Sequence, residues 1–146
     1  MKISTKGRYG LRLMLDLAIH YGEGPIPLKE IAERQNISEK YLEQIIMQLN
    51  RSGMVHSTRG SQGGYSLANL PEKITVGMVL RVMEGSLAPV DCLTGNAPAC
   101  GRQESCITLH VWKKLMAAIE DAVDSITLDD LIKEYREQQL PIDFCI

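Results

Sequence analysis

The sequence predicts a mainly α-helical protein with a small β-hairpin, arranged as a winged helix-turn-helix followed by a long C-terminal dimerisation helix. Three observations predict this fold class: two short amphipathic segments separated by a tight turn, a glycine-rich hairpin directly after them, and one long apolar periodicity near the end of the chain. The length of 146 residues suits one domain, or one small domain with an appended element.

The first helix is predicted to begin at Ser4 or Thr5, either of which can cap it, and to run to about Tyr21. Its apolar side chains form a broad face at helical spacing. The glycines and prolines that follow, up to Pro27, predict a break in the chain.

The second helix is predicted over Leu28–Gln35 and the third from Glu39 to about Arg51, with Ser38 as the N-cap. In the third helix the apolar residues at helical spacing form the stripe expected to be buried: Leu42, Ile45, Ile46 and Leu49. Two short helices at this separation are typical of a helix-turn-helix, and an ordinary helical hairpin is the alternative.

The segment after the third helix favours the helix-turn-helix. Residues 54–58 and 65–67 suit two strands, and the segment Arg59-Gly-Ser-Gln-Gly-Gly64 between them is a glycine-rich tip. A hairpin directly after a recognition helix is a wing. The sequence therefore predicts a winged helix-turn-helix.

A fourth helix is predicted over Val76–Glu84, and an aperiodic loop follows it. The longest periodic segment then runs from about Cys106 to Ser125, a helix about 30 Å long. Its wide apolar face has little of its own chain to cover it, so we expect a second copy of the chain to do so. Packing against the first helix is the alternative.

A final short helix is predicted from Thr127, where Thr127-Leu-Asp-Asp130 has the form of a capping box. These elements predict three parts of the chain. They are a DNA-binding domain at 1–85, a cysteine-bearing loop at 86–105, and a dimerisation helix with a C-terminal helix at 106–146.

The charge is distributed unevenly, although the net charge is only −2. Residues 1–70 contain nine Lys/Arg and six Asp/Glu, a balance of +3, whereas residues 71–146 contain seven and twelve, a balance of −5. This asymmetry indicates nucleic-acid binding by the basic part. The chain shows neither an apolar run of about 18 residues nor a signal peptide, which predicts a cytoplasmic protein with no membrane partner.

The outward side chains of the third helix, the wing and the basic N-terminus are the candidate DNA contacts. Gln44 and Gln48 lie one turn apart and could present amides to adenine edges, and the Glu43 carboxylate could discriminate between sequences. Arg59 suits a narrow minor groove, and the N-terminal cations would contact phosphates. A solvated surface is the alternative for the helix. The candidates are Ser38, Glu39, Lys40, Tyr41, Glu43, Gln44, Gln48, Arg59, Ser61, Gln62, Lys2 and Lys6.

Three of the four cysteines, Cys92, Cys100 and Cys106, lie within fifteen residues. Thiolates are soft ligands for zinc or for iron–sulfur clusters, and this spacing lacks the tight Cys-x2-4-Cys pairs of zinc sites. A [2Fe–2S] cluster needs four protein ligands, and His110 is the nearest candidate for the fourth. Zinc and a thiol or disulfide sensor are the alternatives. No hydrolase or phosphate-loop motif is present, so we do not expect an enzyme.

Several motifs together resemble the winged-helix regulator family that includes IscR, NsrR and CymR. They are Met1-Lys-Ile-Ser-Thr-Lys-Gly-Arg-Tyr-Gly10, Ser38-x-x-Tyr-Leu-Glu-Gln44, Arg59-Gly60 and Gly63-Gly-Tyr65. With the three cysteines and Trp112, the chain is most similar to the IscR branch, which regulates iron–sulfur cluster biogenesis. The resemblance implies a homodimer on a roughly palindromic operator, crossed long helices, and a [2Fe–2S] cluster that alters DNA selection. It also implies roles for Glu43 in discriminating operators and for Arg59 in the groove.

The chain departs from the IscR pattern at two places. Seven residues rather than five separate Cys92 from Cys100, and the position of the ligand histidine, three residues after Cys106, holds Leu109. His110 lies one residue later, so a carboxylate, Cys145 or a group of the partner subunit are alternatives for the fourth ligand. The rival is the CymR-like branch, which lacks the cysteine cluster and regulates cysteine metabolism.

Overall fold

The computed structural model describes residues 2–139. Within this range the chain forms six α-helices, one two-stranded antiparallel sheet and three short 3-10 turns. The elements are α1 (Thr5–Ile19), α2 (Leu28–Gln35), α3 (Glu39–Arg51), β1 (Val55–Thr58), β2 (Gly64–Leu67), α4 (Val76–Glu84), α5 (Leu109–Asp124) and α6 (Leu128–Gln138). The predicted fold class, a mainly helical winged helix, is confirmed.

The first helix begins as expected and ends slightly early. Ser4, rather than Thr5, caps α1, and its hydroxyl accepts a hydrogen bond of 3.0 Å from the backbone N–H of Gly7. The helix ends at Ile19 instead of about Tyr21, because His20 leaves the helical conformation and Gly22 turns the chain with a φ of 90°. Glycine adopts such a positive φ without steric cost.

Helix α1 lies at the centre of the domain and packs closely against α4. Gly7 and Gly10 are both buried in this contact. A Cβ added at Gly7 would overlap the Glu84 carboxylate, and one added at Gly10 would lie 2.7 Å from the Met83 sulfur. Glycine inside a helix is unfavourable by about 1 kcal/mol relative to alanine. The close approach of the two helices explains why glycine stands at these positions.

Helices α2 and α3 form the helix-turn-helix with the predicted boundaries. Asn36 ends α2 in the left-handed conformation, with a φ of 52°, and the hydroxyl of Ser38 accepts from the N–H of Tyr41 at 3.1 Å. The predicted stripe of Leu42, Ile45, Ile46 and Leu49 is buried. Both caps use residues that tolerate or require non-helical backbone, so the turn is locally encoded.

The hairpin pairs Val55 with Leu67 and Thr58 with Gly64, so it forms the wing expected from the sequence. Its second strand is also joined to the chain before α2, where Ile26 and Tyr65 exchange two backbone hydrogen bonds of 2.9 Å. The wing is therefore anchored to the helix-turn-helix by main-chain pairing.

Helix α5 differs from the sequence-based expectation at its start. The expectation of a beginning near Cys106 is wrong, because Cys106 has an extended backbone and follows a 3-10 turn over Gln103–Ser105. The helix begins at Leu109 and has 16 residues, a length of about 24 Å. No residue of α5 is fully buried within the described chain.

Helix α6 returns to the N-terminal half of the molecule. The predicted capping box is present, with the Thr127 hydroxyl accepting from the N–H of Asp130 and the Asp130 carboxylate accepting from the N–H of Thr127. Leu128 is 0% exposed and joins the same hydrophobic core as α1. Within residues 2–139, no helix is both long and apolar enough to cross a membrane.

Candidate functional site

Helix α3 and its N-cap carry most of the predicted DNA contacts. Its buried stripe packs on α1, α2 and α4, so the opposite side faces outward. Tyr41 is half-buried, and its ring packs edge-on against Tyr9 of α1 at 5.7 Å between centroids. Ser38 is exposed and acts as the N-cap. The exposed side chains of the helix itself are Glu39, Lys40, Glu43, Gln44, Met47, Asn50 and Arg51.

Gln48 departs from the expectation of an outward side chain. It is half-buried, and its Oε1 atom is buried without a hydrogen-bond partner among the described residues. The reason is its position at the edge of the buried stripe, directly before Leu49 and three residues after Ile45. Of the two amides predicted to face DNA, Gln44 is the exposed one.

The tip of the wing presents Arg59, Ser61 and Gln62 as exposed side chains. The tip is closed by a 3.0 Å hydrogen bond from the N–H of Gly63 to the carbonyl of Gly60. Gly60 has a φ of 111°, a conformation that glycine adopts readily. Arg59 thus lies at the end of a narrow turn with no described carboxylate in ion-pair distance.

The basic residues near the N-terminus differ in whether they make polar contacts within the described chain. Lys2 is exposed and Lys6 is half-buried, both without an ion pair in the described chain. Arg12 differs from these, because its guanidinium donates to the side chain and the carbonyl of Gln35 and lies 5.4 Å from the centre of the Tyr9 ring. Arg12 therefore joins α1 to α2.

A buried carboxylate lies beside Arg12 on α1. Asp16 is 2% exposed and accepts hydrogen bonds from Arg34 at 2.7 and 3.1 Å and from the Gln35 amide at 2.9 Å. Hydrogen bonding to Asp16 is the main reason that the pKa of Arg34 is raised. The Nδ1 atom of His20 lies 3.6 Å from the same carboxylate.

The three clustered cysteines line one cavity. Cys92, Cys100 and Cys106 face a space of about 250 Å³ at the start of α5, together with Ala97, Pro98, Ala99, Gln103 and Leu109. All three are free thiols, with Cys92 and Cys100 exposed and Cys106 half-buried. The loop after α4 therefore brings the thiols of Cys92 and Cys100 to the same cavity as Cys106, which precedes α5.

Cys106 has a distinct environment within this cavity. Its sulfur lies 3.4 Å from the hydroxyl oxygen of Thr108. Hydrogen bonding from that hydroxyl, and then from the backbone N–H of Leu109, lowers the pKa of the Cys106 thiol. Both groups favour the thiolate, the form that binds metals.

The fourth predicted ligand is placed apart from the thiols. His110 is exposed on α5, whereas Leu109 lines the cavity. Among residues 2–139, no three His, Cys, Asp or Glu side chains converge closely enough to hold a metal ion. Cys145, the other alternative from this chain, lies outside the described residues.

Apolar residues at the start of α5 and just before it are not covered by the described chain. Trp112, Ile119 and Val123 are half-buried, and α5 contacts α4. Val111 in the first turn of α5 is 53% exposed, and Ile107, two residues before the helix, is 89% exposed. An ion pair between Arg81 of α4 and Asp124 of α5, at 2.6 Å, joins the long helix to the domain.

Sequence reasoning did not single out Asp16, although a signal for it exists. The residue lies between Leu15 and Leu17 inside the apolar stretch of the first helix. A carboxylate at such a position is almost never fully buried unless it is paired. Its partners are 18 and 19 residues away, so their identity could not be inferred from local spacing.

Comparison with known families defines the class of protein. The family described as "Rrf2: Iron-dependent Transcriptional regulator" matches residues 3–134. The chain belongs to this family of DNA-binding transcriptional regulators, and its relatives are regulators rather than enzymes.

Individual relatives come from two branches. The chain is 47% identical over 131 residues to the HTH-type transcriptional regulator CymR of Bacillus subtilis (strain 168), covering 90% of this chain and 89% of CymR. It is 40% identical over 140 residues to the HTH-type transcriptional regulator IscR of Aliivibrio salmonicida (strain LFI1238), covering 96% and 82%. The solved structure of T. potens IscR is 45% identical with a TM-score of 0.79, covering 99% of this chain and 95% of that one.

Proposed function

We propose that this protein is a homodimeric repressor of iron–sulfur cluster biogenesis genes, which senses a [2Fe–2S] cluster held by Cys92, Cys100 and Cys106. The observation that carries the proposal is the common cavity of the three thiols at the start of α5. As a regulator of chromosomal operators, the protein acts in the cytoplasm.

The thiol donors and the size of the cavity suit the cluster, and the three thiols would have to approach one another to hold it. Thiolates are the usual ligands of [2Fe–2S] clusters, and the cavity of about 250 Å³ is much larger than the roughly 10–15 Å³ that a cavity needs to hold one water molecule. Three thiols supply three of the ligands, and His110 remains the proposed fourth. A bound cluster would supply a redox-active and oxygen-sensitive centre at the junction of the loop and α5.

The DNA-binding half supports recognition through α3 and the wing. Gln44 and Glu43 are exposed on α3, where they could contact base edges in the major groove. Arg59 at the tip of the wing suits the adjacent minor groove, and Lys2 and Lys6 would contribute phosphate contacts that do not depend on sequence. The other proposed contacts belong to the same two surfaces.

The exposed apolar residues at the start of α5 and just before it support a homodimer. Ile107 and Val111 are large apolar side chains that are mostly exposed in the single chain. A second copy of α5 would cover them symmetrically, as expected for a two-fold interface. Such a dimer would place two copies of α3 and of the wing on the two halves of a palindromic operator.

Anaerobic purification tests the sensing function. We expect a coloured protein whose iron and sulfide contents match a [2Fe–2S] cluster, and we expect Cys92→Ala, Cys100→Ala and Cys106→Ala each to lose it. Cys145→Ala tests the alternative fourth ligand of this chain and should keep the cluster if His110 has that role. His110→Ala then tests the fourth ligand. A colourless protein containing zinc would contradict the cluster assignment.

The second candidate function is regulation of cysteine metabolism, as in the CymR branch. The 47% identity to CymR favours it, as does the separation of His110 from the thiols. Under this alternative the anaerobic protein is colourless, and the cysteine variants bind DNA as the unmodified protein does. The same purification therefore distinguishes the two functions.

A further inference from the structure

We propose that Asp16 is a positioning residue for DNA recognition. Its buried carboxylate holds the turn between α2 and α3 against α1, and so sets the direction in which α3 meets the bases. The inference rests on the proposed role of α3 as the recognition helix, and it concerns a buried residue that is not itself a candidate DNA contact.

Asp16 is the one charged or polar side chain that is buried in the described part of the chain, at 2% exposure. A buried charge is unfavourable unless it is paired and hydrogen-bonded. An apolar residue in such a place is often equally or more stabilising than a buried ion pair. A leucine at this position could therefore stabilise the fold about as well as the carboxylate does. What the carboxylate adds is a set of directional hydrogen bonds.

Those bonds are concentrated on the end of α2. Arg34 donates to both carboxylate oxygens, at 2.7 Å to Oδ1 and 3.1 Å to Oδ2, and the Gln35 amide donates to Oδ2 at 2.9 Å. A two-point contact between guanidinium and carboxylate fixes orientation as well as distance. Arg34 and Gln35 are the last two residues of α2, directly before the left-handed Asn36.

A second set of contacts extends from the same face of α1 to the start of α3. Arg12, one turn before Asp16, donates to the Gln35 side chain at 3.1 Å and to its carbonyl. The Arg12 guanidinium lies over Tyr9, whose ring packs edge-on against Tyr41 in the first turn of α3. Both sides of the turn are thus held by α1.

The turn itself is short, because three residues separate Gln35 from the first residue of α3. A change in the orientation of the end of α2 is therefore passed directly to the N-terminal part of α3. Base contacts depend on the placement of side chains at base edges, whereas phosphate contacts carry no sequence information. Loosening the turn should consequently reduce selectivity more than general DNA affinity.

The test compares Asp16→Asn with the unmodified protein on two DNA duplexes of equal length. One is enriched by the unmodified protein from a random-sequence pool, and the other has the same bases in scrambled order. Fluorescence anisotropy gives both affinities at a temperature where circular dichroism shows every variant to be folded. We expect about a tenfold loss on the enriched duplex and a change within about twofold on the scrambled one.

Two further variants separate positioning from loss of stability. Gln35→Ala removes one of the Asp16 bonds and the bond that Arg12 donates to the same side chain. Both bonds hold the turn to α1, so we expect the same selective loss, at about threefold. Asp124→Asn is the matched control, because it breaks another two-point pair with an arginine, between α4 and α5. It should bind both duplexes within about twofold of the unmodified protein.

The outcomes distinguish this inference from the proposed function. If Gln44→Ala weakens binding to the enriched duplex but folded Asp16→Asn keeps its selectivity, the positioning role is overturned and the role of α3 stands. An equal loss on both duplexes also overturns the positioning role. If Gln44→Ala has no effect, the assignment of α3 as the recognition helix fails. Should Asp16→Asn not fold, Gln35→Ala gives the decision by the same comparison.

Discussion

Replacement of Arg59 by alanine should lower both the affinity for operator DNA and the dependence of that affinity on salt. Arg59 is exposed at the tip of the hairpin, and no described carboxylate pairs with it. A dimer carries two wings, so the variant removes two cations from the DNA complex. Lys133→Ala is the matched control, because it removes one cation per chain from α6, where the ammonium pairs with Asp129 at 3.0 Å.

The expected magnitude follows from the number of cations. Each phosphate neutralised contributes about 0.9 to the slope of log affinity against log salt, so two wings contribute about 1.8. A roughly fourfold rise in salt should therefore weaken the unmodified protein about 12-fold more than the variant. At the lowest salt concentration we expect loss of the two arginines to weaken the binding free energy by about 2 kcal/mol or more, which is roughly 30-fold in affinity.

Anisotropy titrations over a series of salt concentrations measure both quantities. The control should keep the slope of the unmodified protein, because Lys133 is placed on α6 and not on the wing. An Arg59→Ala variant with an unchanged slope would show that the wing does not contact DNA. If Lys133→Ala lowers the slope and the affinity as much as Arg59→Ala does, the effect comes from net charge rather than from the wing.

Three further predictions concern the fold that supports these surfaces. Leu128→Ala should lower the free energy of unfolding by about 2–5 kcal/mol in urea titrations, because Leu128 is fully buried, whereas an equal loss for the exposed Leu70→Ala would contradict the argument. Gly64→Ala should lower the unfolding free energy by more than about 1 kcal/mol, because φ is 154° and a Cβ would overlap the Ile26 backbone; unaltered thermal unfolding would refute this. Hydrogen bonding to Arg81 holds the pKa of Asp124 below its usual value of 3.8. The ionised carboxylate therefore stabilises the folded protein above pH 3.8, and this contribution is lost as the pH falls through the lower pKa of the folded state. When the unfolding temperature is measured against pH, the unmodified protein should lose stability at acid pH through Asp124, and Asp124→Asn should lack that loss. If the two proteins show the same pH profile, Asp124 does not make this contribution.

The helices and the wing were predictable because their signals are local. A capping hydroxyl, an apolar stripe and a glycine-rich tip each lie within a few residues of the element that they define. This is why α2, α3 and α4 have the boundaries that the sequence predicts, and why Thr127 and Asp130 form the expected capping box.

The errors in the prediction occur where distant contacts compete with local patterns. The apolar periodicity continues back to Cys106, yet a 3-10 turn keeps the residues before Leu109 out of α5. Gln48 has a polar side chain at an apparently outward position, but it lies at the edge of the buried stripe and is half-buried. Arg12 belongs to the basic N-terminal part of the chain, and only its contact with Gln35 shows that it joins α1 to α2.

The sequence by itself determined the winged helix-turn-helix, the division of charge and the presence of three clustered thiols, since each depends on residue type and short-range spacing. The tertiary structure alone decided that the thiols line one cavity, that Leu109 rather than His110 faces it, and that Asp16 holds the end of α2. These arrangements join residues from different elements or an aperiodic loop, and their stability depends on packing across the core. No periodicity encodes such contacts.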